Sequence, residues 1–263
     1  MRTLVTGSSP GIGGAICLKL TKDAVARGET PHIAACELRE TEALGDLVRD
    51  LRALGAEVIT PTGDLGDPDV PARLIDETLE VFGGLDSIVG NAGIAGPAPL
   101  AELEIDRWDR LFNVNVRGNW LLAKAGYSAL QASKGSFVAI ASMSGMHAHR
   151  NMGAYGPSKA AVISLCATLA QEWAADGIRV NTVSPGMIRT PLTEAVYRDN
   201  ATAQDRADLV PMGRVGIGID IANVVAFLLG PDAGYMTGQN VLVDGGFVDS
   251  LYGHIPGLPR SGE

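Results

Sequence analysis

The sequence predicts an α/β fold in which a mainly parallel sheet is covered by helices on both faces. Two observations predict it. Short apolar segments alternate with longer segments of helical periodicity along most of the chain. The 263 residues are also enough for one domain with a large buried core, and they contain no internal repeat or low-complexity tract. We therefore expect residues 1–263 to form a single domain of seven strands and at least six helices.

Each predicted strand is a short apolar run, and most are followed by a segment of helical periodicity. The predicted strands are 2–6, 32–36, 57–60, 86–90, 135–141, 178–184 and 240–243. The predicted helices are 12–26, 40–54, 69–82, 104–131, 154–174 and 219–229. Four of these strands end beside Gly7, Asn91, Ser142 and Pro185. Since ligands bind beyond the carboxyl ends of parallel strands, we expect these four residues to meet at one edge of the sheet.

A glycine-rich turn joins the first predicted strand to the first helix. Gly7, Gly11 and Gly13 occur in the stretch Gly-Ser-Ser-Pro-Gly-Ile-Gly. Such a turn lets the backbone approach a diphosphate, and the free N–H groups of the following helix favour its negative charge. The spacing Gly-x3-Gly-x-Gly differs from the usual dinucleotide fingerprint and from a Walker loop, so alone it also fits an ordinary strand-to-helix turn.

The same residues fit a second motif. Gly7 to Gly11 matches Gly-x-Ser-x-Gly, the nucleophile elbow of α/β-hydrolases, with Ser9 as the nucleophile. That elbow requires an earlier strand and loop to supply the second oxyanion donor, and only six residues precede Gly7. A serine hydrolase stays open as the less favoured alternative.

Tyr155 and Lys159 lie four residues apart, which places their side chains on one face of a helix. A tyrosine ordinarily titrates near pH ~10, so acid/base work near neutral pH requires the phenolate to be favoured by about 4 kcal/mol. A nearby positive charge supplies part of that energy. The pair alone also fits a surface contact. Pro157 lacks an N–H and favours a first helical turn, so we expect the helix to begin close to Tyr155.

The motifs together resemble the short-chain dehydrogenase/reductase family, and the resemblance covers nearly the whole chain. They follow in the family's order as Thr6–Gly13, Asn91–Gly93, Asn115–Gly118, Ser142, Tyr155–Lys159, Pro185–Gly186 and Thr237–Gly246. The resemblance implies a doubly wound Rossmann fold and an NAD(P)-dependent oxidoreductase that interconverts a secondary alcohol and a ketone. A dinucleotide-binding regulator or scaffold without turnover is the alternative from another functional class.

The resemblance also implies the catalytic roles. Tyr155 would exchange a proton with the substrate oxygen, and Ser142 would hydrogen-bond to that oxygen. Lys159 would hold the nicotinamide ribose and favour the phenolate of Tyr155. Asn115 would anchor a water that connects Lys159 to solvent. Taken alone, Asn115 fits a helix-kink or capping amide equally well.

The cofactor contacts implied by the resemblance are Gly7, Ser9, Gly11, Ile12, Gly13, Glu37, Asp64, Leu65, Asn91, Gly93, Tyr155, Lys159, Pro185, Gly186, Ile188 and Thr190. Among them, Asp64 and Leu65 would meet the adenine, and Asn91 would lie beside the adenosine ribose. Ile188 and Thr190 would face the nicotinamide carboxamide.

Two of these contacts have simpler interpretations. Asp64 could cap the turn before Pro68, and Thr190 could be the N-cap of a helix that opens at Pro191. Either role could coexist with a cofactor contact.

Glu37 favours NAD over NADP. At the end of the second strand, a carboxylate can accept both ribose hydroxyls of NAD and repel the extra phosphate of NADP. Pro10 agrees, because NADP-preferring relatives often carry a basic residue before the second glycine. Arg39 is the counter-argument, since it could turn toward a phosphate. The segment 22–31 is longer than usual, so this interpretation depends on Glu37 directly following the strand.

Composition excludes several partners. The formal net charge of −9 disfavours nucleic acid and anionic membranes, because both would be repelled. We interpret Cys17, Cys36 and Cys166 as reduced core residues, which indicates the cytoplasm. No apolar run is long enough to span a membrane, and the N-terminus enters its first strand without room for a signal peptide.

No metal is expected. His147 and His149 alternate in one loop, but no carboxylate or cysteine accompanies them, so a loop beside the substrate cleft explains them better. The three tryptophans fall in predicted helices and are expected to be core or interface anchors: Trp108, Trp120 and Trp173.

The substrate pocket is expected to be lined by residues 94–100, 143–152 and 187–210, the last of which lie within a substrate-loop region over 187–216. Few charges occur there, and Arg150 and Arg189 are the visible anion hooks, so the sequence favours a small neutral, moderately apolar alcohol or ketone.

We further expect a homotetramer that pairs through helices 104–131 and 154–174 and through the last helix and strand. The tail 247–263 extends beyond the usual end and carries apolar residues, so we expect it in or near an interface: Leu251, Tyr252, Ile255 and Leu258. A disordered tail is the alternative, because Gly and Pro punctuate it.

Overall fold

The computed structural model describes residues 1–191 and 193–250. Seven strands form one sheet with the order β3-β2-β1-β4-β5-β6-β9, and every ladder in it is parallel. The strands are β1 (Arg2–Thr6), β2 (His32–Cys36), β3 (Glu57–Ile59), β4 (Ser87–Gly90), β5 (Ser136–Ile140), β6 (Arg179–Pro185) and β9 (Asn240–Val243). The tail residues Leu251, Tyr252, Ile255 and Leu258 lie outside the described part of the chain.

The described residues form nine α-helices, and six of them cover the two faces of the sheet. The α-helices are α1 (Ile12–Ala26), α2 (Glu42–Ala53), α3 (Val70–Phe82), α4 (Ile105–Phe112), α5 (Gly118–Ser133), α6 (Tyr155–Trp173), α7 (Glu194–Tyr197), α8 (Asn200–Asp208) and α9 (Gly218–Leu229). Strands β7 (Ile188–Arg189) and β8 (Gly216–Ile217) pair in a separate small sheet.

Both faces of the sheet are buried, which explains why its strands are continuous apolar runs. On one face, side chains such as Val5, Val89 and Val183 pack beneath α1, α2 and α9. On the other face, side chains such as Leu4 and Phe137 pack beneath α3, α5 and α6. The predicted doubly wound α/β fold with a seven-stranded parallel sheet is confirmed.

The strand order reverses between β1 and β4, which are adjacent in the sheet although two strands separate them in sequence. The chain winds outward through β2 and β3 on one side of this point and through β5, β6 and β9 on the other. The register pairs Val5 with Val89, so the two strands end at nearly the same level. A crevice therefore opens beyond their carboxyl ends, where ligands bind in folds of this type.

The prediction of one continuous helix over 104–131 is wrong, because the structure interrupts it. A π-helical segment, Asn113–Arg117, separates α4 from α5. Inside it, the Asn115 main-chain carbonyl accepts a hydrogen bond from Asn119 Nδ2 at 2.7 Å. A π-helical turn rotates the following residues relative to an α-helix, and such turns are frequent at functional sites.

Helices α7 and α8 were not predicted. Helix α8 has no buried residue, so it lacks the apolar periodicity on which helix prediction depends. Its start is nevertheless marked in the sequence, because the Asp199 carboxylate accepts hydrogen bonds from Thr202 N and Thr202 Oγ1. The expected start of α6 is confirmed, with Tyr155 as its first residue and Pro157 in its first turn.

The three cysteines are buried and unpaired, as expected for core residues. Burial raises the pKa of both the Cys17 and the Cys166 thiol to about 12. Among residues 1–191 and 193–250, no helix combines the length and apolar content needed to cross a bilayer.

Candidate active site

A cleft of about 670 Å³ lies beyond the carboxyl ends of the strands. Every site residue predicted from the sequence except Asn115 lines it: Gly7, Ser9, Gly11, Ile12, Gly13, Glu37, Asp64, Leu65, Asn91, Gly93, Ser142, Tyr155, Lys159, Pro185, Gly186, Ile188 and Thr190. Residues from seven separate stretches of the chain are thus brought to one place, as the ends of parallel strands require.

The glycine turn has a backbone that side chains would obstruct. Gly7 and Gly11 have φ values of +65° and +134°, which residues with a Cβ rarely adopt. A methyl group on Gly13 would overlap the Gly7 carbonyl oxygen and crowd the Asn91 amide. Helix α1 follows directly, with Gly11 as its N-cap, no side-chain cap and no acidic residue in its first turn. Its first N–H groups therefore remain available to an anion.

Asn91 holds this turn against the end of β4. Its Nδ2 donates to the carbonyl oxygens of Thr6 and Gly7, at 3.0 and 2.8 Å. In return, the Thr6 hydroxyl oxygen accepts from the main-chain N–H groups of Asn91 and Ala92, both at 3.1 Å. Asn91 therefore positions the glycine turn, in addition to any contact with a ribose.

Glu37 directly follows β2, so the alignment on which its interpretation depends is correct. Its Oε1 accepts a hydrogen bond from Ser9 N at 2.7 Å, and its Oε2 accepts from Leu38 N at 3.1 Å. The carboxylate therefore spans from the end of β2 to the glycine turn. Arg39, which could have offset its charge, is exposed and does not line the cleft.

Ser9 carries a buried hydroxyl oxygen for which the described residues provide no hydrogen-bond partner. No histidine from the described ranges lines the cleft. A serine nucleophile at Ser9 would therefore have no imidazole base, which argues against the hydrolase alternative. An unpaired polar atom beside an anion-binding turn instead fits a ligand with hydrogen-bonding oxygens.

Asp64 has the turn-capping role that the sequence left open. Its Oδ1 accepts from Gly66 N at 2.8 Å, and its Oδ2 lies 2.9 Å from Arg110 Nη1. The alternative for Thr190 is wrong: the helix begins at Glu194 with Thr193 as its N-cap. Thr190 N instead donates to Thr193 Oγ1 at 2.9 Å, which closes a turn at the rim of the cleft.

Ser142, Tyr155 and Lys159 meet at the inner end of the cleft. Tyr155 opens α6, and Lys159 lies one turn later with only 3% of its surface exposed. Lys159 Nζ donates to the Ile140 carbonyl oxygen at 2.7 Å and lies 5.8 Å from the centre of the Tyr155 ring. Ser142 accepts from Ser144 N at 3.1 Å, so its hydroxyl is held in place.

Burial governs the protonation of both titratable groups. It raises the pKa of Tyr155, an effect that a hydrogen bond with Ser142 opposes in part. Burial also lowers the pKa of Lys159 to about 8. From the sequence, Lys159 is expected to favour the phenolate of Tyr155. In the structure its ammonium instead donates to the Ile140 carbonyl oxygen, and burial has the larger effect on the Tyr155 pKa. Tyr155 is therefore a neutral phenol near pH 7, and Lys159 is mainly charged.

Asn115 lies behind the cleft and not on its wall. Its Oδ1 accepts from Ile94 N at 2.8 Å, and its Nδ2 donates to Ile94 O at 2.9 Å and to Ser158 Oγ at 3.0 Å. Ser158 in turn donates to the Tyr155 carbonyl oxygen at 2.7 Å. Asn115 thus connects the loop after β4 to the first turn of α6, and its water-anchoring role stays a prediction.

Several residues of the cleft were not singled out in the sequence, although they lie within the predicted pocket segments 143–152 and 187–210. Ser144 lines it, and its hydroxyl lies 2.8 Å from His149 Nδ1. Tyr197 and Arg206 line it as well, on the two helices that were not predicted. The Asp199–Thr202 capping pair was the available signal for those helices. In the described ranges, no group of three or more His, Cys, Asp or Glu side chains is arranged to hold a metal ion.

Taken together, the glycine turn, the free N-terminus of α1 and the unpaired Ser9 hydroxyl fit a dinucleotide. Gly93 adds to the fit, because a methyl group there would lie 3.1 Å from Lys159 Nζ and 3.2 Å from Asn115 Oδ1. The chain thus keeps side chains away from both the glycine turn and the ammonium of Lys159.

Known proteins are similar to this chain over nearly its full length. A family model described as enoyl-(acyl carrier protein) reductase matches residues 9–248. A tropinone reductase homolog from Arabidopsis thaliana is 36% identical over 248 residues, which covers 94% of this chain and 90% of that protein. The (3R)-3-hydroxyacyl-CoA dehydrogenase of Mus musculus is 37% identical over 256 residues, with coverage of 92% and 94%.

Solved structures are also similar to this chain over nearly its full length. A short-chain type dehydrogenase/reductase from Mycobacterium marinum superposes with a TM-score of 0.83 at 30% identity, covering 94% of both chains. A Beutenbergia cavernae protein, provisionally named an NAD(P)-dependent gluconate 5-dehydrogenase, superposes with a TM-score of 0.84 at 33% identity, covering 95% of this chain and 97% of that chain. That structure contains NADP at low occupancy.

The buried Lys159 ammonium predicts a pH-dependent cost to stability. Because its pKa falls from 10.5 to about 8 on folding, the cost is full below pH 8, declines between pH 8 and 10.5, and is absent above that range. Lys159→Met removes the titrating group and keeps an unbranched side chain. We expect the free energy of unfolding of the variant, relative to the unmodified protein, to decrease by about 3 kcal/mol from pH 7 to pH 10.5.

The measurement is urea unfolding of both proteins across this pH range. Lys124→Met is the control, because Lys124 is exposed on α5. If the free energy of unfolding of Lys159→Met, relative to the unmodified protein, stayed constant across this pH range, the predicted cost of burying the ammonium would be contradicted.

Proposed function

The chain belongs to the short-chain dehydrogenase/reductase family, and from this we propose that it interconverts a secondary alcohol and a ketone, with NAD as the partner in hydride transfer. The observation that carries the proposal is that Ser142, Tyr155 and Lys159 share one cleft with the glycine turn. A proton-transfer group and a dinucleotide-binding turn in the same cleft are what such a reaction requires.

The nicotinamide would supply or accept the hydride. The residues that would hold the dinucleotide are the glycine turn and the N-terminus of α1 at the diphosphate, Glu37 at the adenosine ribose and Lys159 at the nicotinamide ribose. Their arrangement follows the strand ends from β2 through β1 and β4 to β5.

In ketone reduction, Tyr155 donates its proton to the substrate oxygen. Burial favours this direction, because the raised pKa keeps the phenol protonated near pH 7. Ser142 donates a hydrogen bond to the same substrate oxygen. The negative charge then left on the Tyr155 oxygen is stabilised by the Lys159 ammonium, which is present below pH 8. Alcohol oxidation runs through the same groups in reverse.

The geometry of Glu37 supports NAD as the preferred dinucleotide. Its carboxylate is fixed by Ser9 N and Leu38 N, and none of the described cations forms an ion pair with it. It therefore keeps its negative charge where an extra ribose phosphate would have to lie, which disfavours NADP. Two solved relatives contain bound NADP, so members of the family also accept that dinucleotide.

The reacting end of the cleft is largely apolar. Beside Tyr155, its wall is formed by Ile94 and by three methionines: Met143, Met152 and Met187. Methionine side chains adapt to irregular shapes, so this wall suits a substrate with apolar carbon around the reacting centre. The relatives named above as dehydrogenases and reductases support the same reaction class.

We also infer a homotetramer. Trp120 on α5, Phe227 on α9 and Tyr235 before β9 are exposed, and they lie on the helices and strand expected to form interfaces. Large exposed apolar side chains on several faces are typical of association surfaces. A cytoplasmic location remains the prediction from the sequence, and three unpaired buried thiols agree with a reducing compartment.

Tyr155→Phe tests the catalytic proposal. The change removes the proton donor and leaves the glycine turn and Lys159 in place, so kcat for ketone reduction should fall by more than 100-fold while the Kd of NADH stays within about threefold. Turnover is followed by NADH absorbance over a panel of ketones, and NADH binding by fluorescence. Retention of a tenth of the original kcat would refute the role of Tyr155. Tight NADH binding by the unmodified protein with no turnover across the panel would support the regulator alternative.

Glu37→Ser tests cofactor choice. Loss of the carboxylate removes both the ribose hydrogen bonds and the repulsion of the phosphate, so the ratio of kcat/KM with NAD to that with NADP should fall by at least tenfold. Glu37→Gln is the matched variant, because its amide oxygen can still accept from Ser9 N without the charge. A higher kcat/KM with NADP in the unmodified enzyme would show that Glu37 does not select NAD.

Light scattering tests the oligomer. A tetramer of this 27.4 kDa chain should give about four times the chain mass. Deletion of residues 250–263 would show in the same measurement whether the tail takes part in assembly. A monomeric mass for the full chain would overturn the proposal.

A further inference from the structure

Three cationic side chains from the described residues line the cleft, and two of them already have partners. Lys159 Nζ donates to the Ile140 carbonyl oxygen at 2.7 Å. Arg110 Nη1 lies 2.9 Å from Asp64 Oδ2. Arg206, on α8, forms no ion pair with any residue in 1–191 or 193–250.

Tyr197 holds Arg206 at the cleft. Its ring is 4% exposed and lines the same cavity as Tyr155. The guanidinium carbon of Arg206 lies 5.4 Å from the centre of the Tyr197 ring, and Nη1 lies 3.4 Å from the Tyr197 hydroxyl oxygen. Stacking of this kind fixes a guanidinium in position but leaves most of its N–H groups unpaired.

A second arginine on the same ring provides an internal comparison. Arg189 lies 5.8 Å from the centre of the Tyr197 ring, and Glu194 accepts hydrogen bonds from its Nε and Nη2 at 2.9 and 2.6 Å. Within the described ranges, one of the two guanidinium groups on Tyr197 therefore has a carboxylate partner and the other has none.

The absence of a partner is informative in so acidic a protein. The chain has 30 Asp and Glu residues against 21 Lys and Arg residues, so carboxylates are in excess. Other arginines without a carboxylate are either exposed to water, such as Arg39, Arg150 and Arg198, or donate to main-chain carbonyl oxygens, as Arg117 and Arg179 do. Arg206 is partly buried at a cavity wall, where an unpaired charge loses hydration without compensation. A negatively charged ligand in the cleft would provide that compensation.

We propose that Arg206 binds a carboxylate group of the substrate, so that the enzyme acts on an alcohol or ketone that also carries a carboxylate. This inference rests on the proposed oxidoreductase function. It departs from the neutral substrate that the sequence favours, because only Arg150 and Arg189 were recognised there as anion-binding side chains of the pocket segments. A carboxylate matches the charge and the planar donor fork of the Arg206 guanidinium.

The cofactor diphosphate is a less suitable partner for Arg206. The uncapped N-terminus of α1 and the glycine turn already supply N–H groups for it. Arg206 instead belongs to the segment between β6 and α9 that also contributes Met187 to the wall of the cleft.

Arg206→Gln tests the inference. The probes are short oxo-carboxylates in which the ketone lies one, two or three carbons from the carboxylate, each paired with its methyl ester. For the carboxylate that the unmodified enzyme reduces best, the variant should lose about 10- to 100-fold in kcat/KM, the range expected for a charge-assisted hydrogen bond. The matching ester should change by less than threefold, and the Kd of NADH should be unchanged.

Two further variants make the result specific. Arg198→Gln removes an equal charge from the same segment but outside the cleft, so it should leave the carboxylate-to-ester ratio unchanged. Arg206→Lys keeps the charge and should retain part of the preference for the carboxylate. Thermal unfolding of each variant separates loss of folding from loss of binding.

Binding is also measured without turnover, by calorimetric titration of the oxo-carboxylates into the enzyme–NAD⁺ complex, in which the dinucleotide has no hydride to donate. Weaker carboxylate binding in Arg206→Gln alone would support the proposal. An equal loss for carboxylate and ester, or a loss of NADH affinity, would overturn it and assign Arg206 to the fold or to the cofactor. Reduction of esters in preference to carboxylates by the unmodified enzyme would overturn it while leaving the oxidoreductase function intact.

Discussion

The site depends on the hydrogen bonds that join the end of β4 to the glycine turn after β1. Parallel strands β1 and β4 bring the two segments side by side, but the ladder between them ends at the Val5–Val89 pair. Beyond that pair, Asn91 and Thr6 continue the connection through their side chains. The backbone of the turn is thereby held in the open conformation that its positive φ values require. The N-terminus of α1 takes its direction from the same turn.

The catalytic end of the cleft depends on a different balance, between burial and charge. Lys159 is enclosed so fully that its pKa falls to about 8, yet its ammonium retains a strong hydrogen bond to the Ile140 carbonyl. Tyr155 is buried beside it and is held as a neutral phenol. The fold thus places two groups at a cost in stability, each in the protonation state that the proposed ketone reduction would require near pH 7. Asn115, through Ile94 and Ser158, fixes the helix that carries both.

Much of this could be predicted from the sequence. The strands that build the cleft were located to within one or two residues, because buried parallel strands are continuous apolar runs bounded by turn residues. The motif residues then followed from their places at strand ends, and Glu37 was found where expected.

The rest could not be predicted because its signals are not periodic. The π-helical turn at Asn113–Arg117 leaves no mark in apolar spacing. Helix α8 has no buried residue, so the sequence placed its segment at the pocket but did not show that Arg206 lines the cleft. The direction in which the Tyr155 pKa is shifted depends on burial and on where the Lys159 ammonium points. Neither can be obtained from a four-residue spacing.

The bond between Glu37 and Ser9 N has a consequence for how such an enzyme could change over evolution. The same carboxylate that would discriminate between dinucleotides also accepts a hydrogen bond from the backbone of the glycine turn. A single substitution to a residue without an acceptor, such as Glu37→Ser, removes both the charge and a support of that turn, whereas glutamine removes the charge and keeps an acceptor for Ser9 N. A lineage that exchanged one dinucleotide for the other at this position could therefore pass through glutamine, and the support of the turn would be lost only at a later replacement.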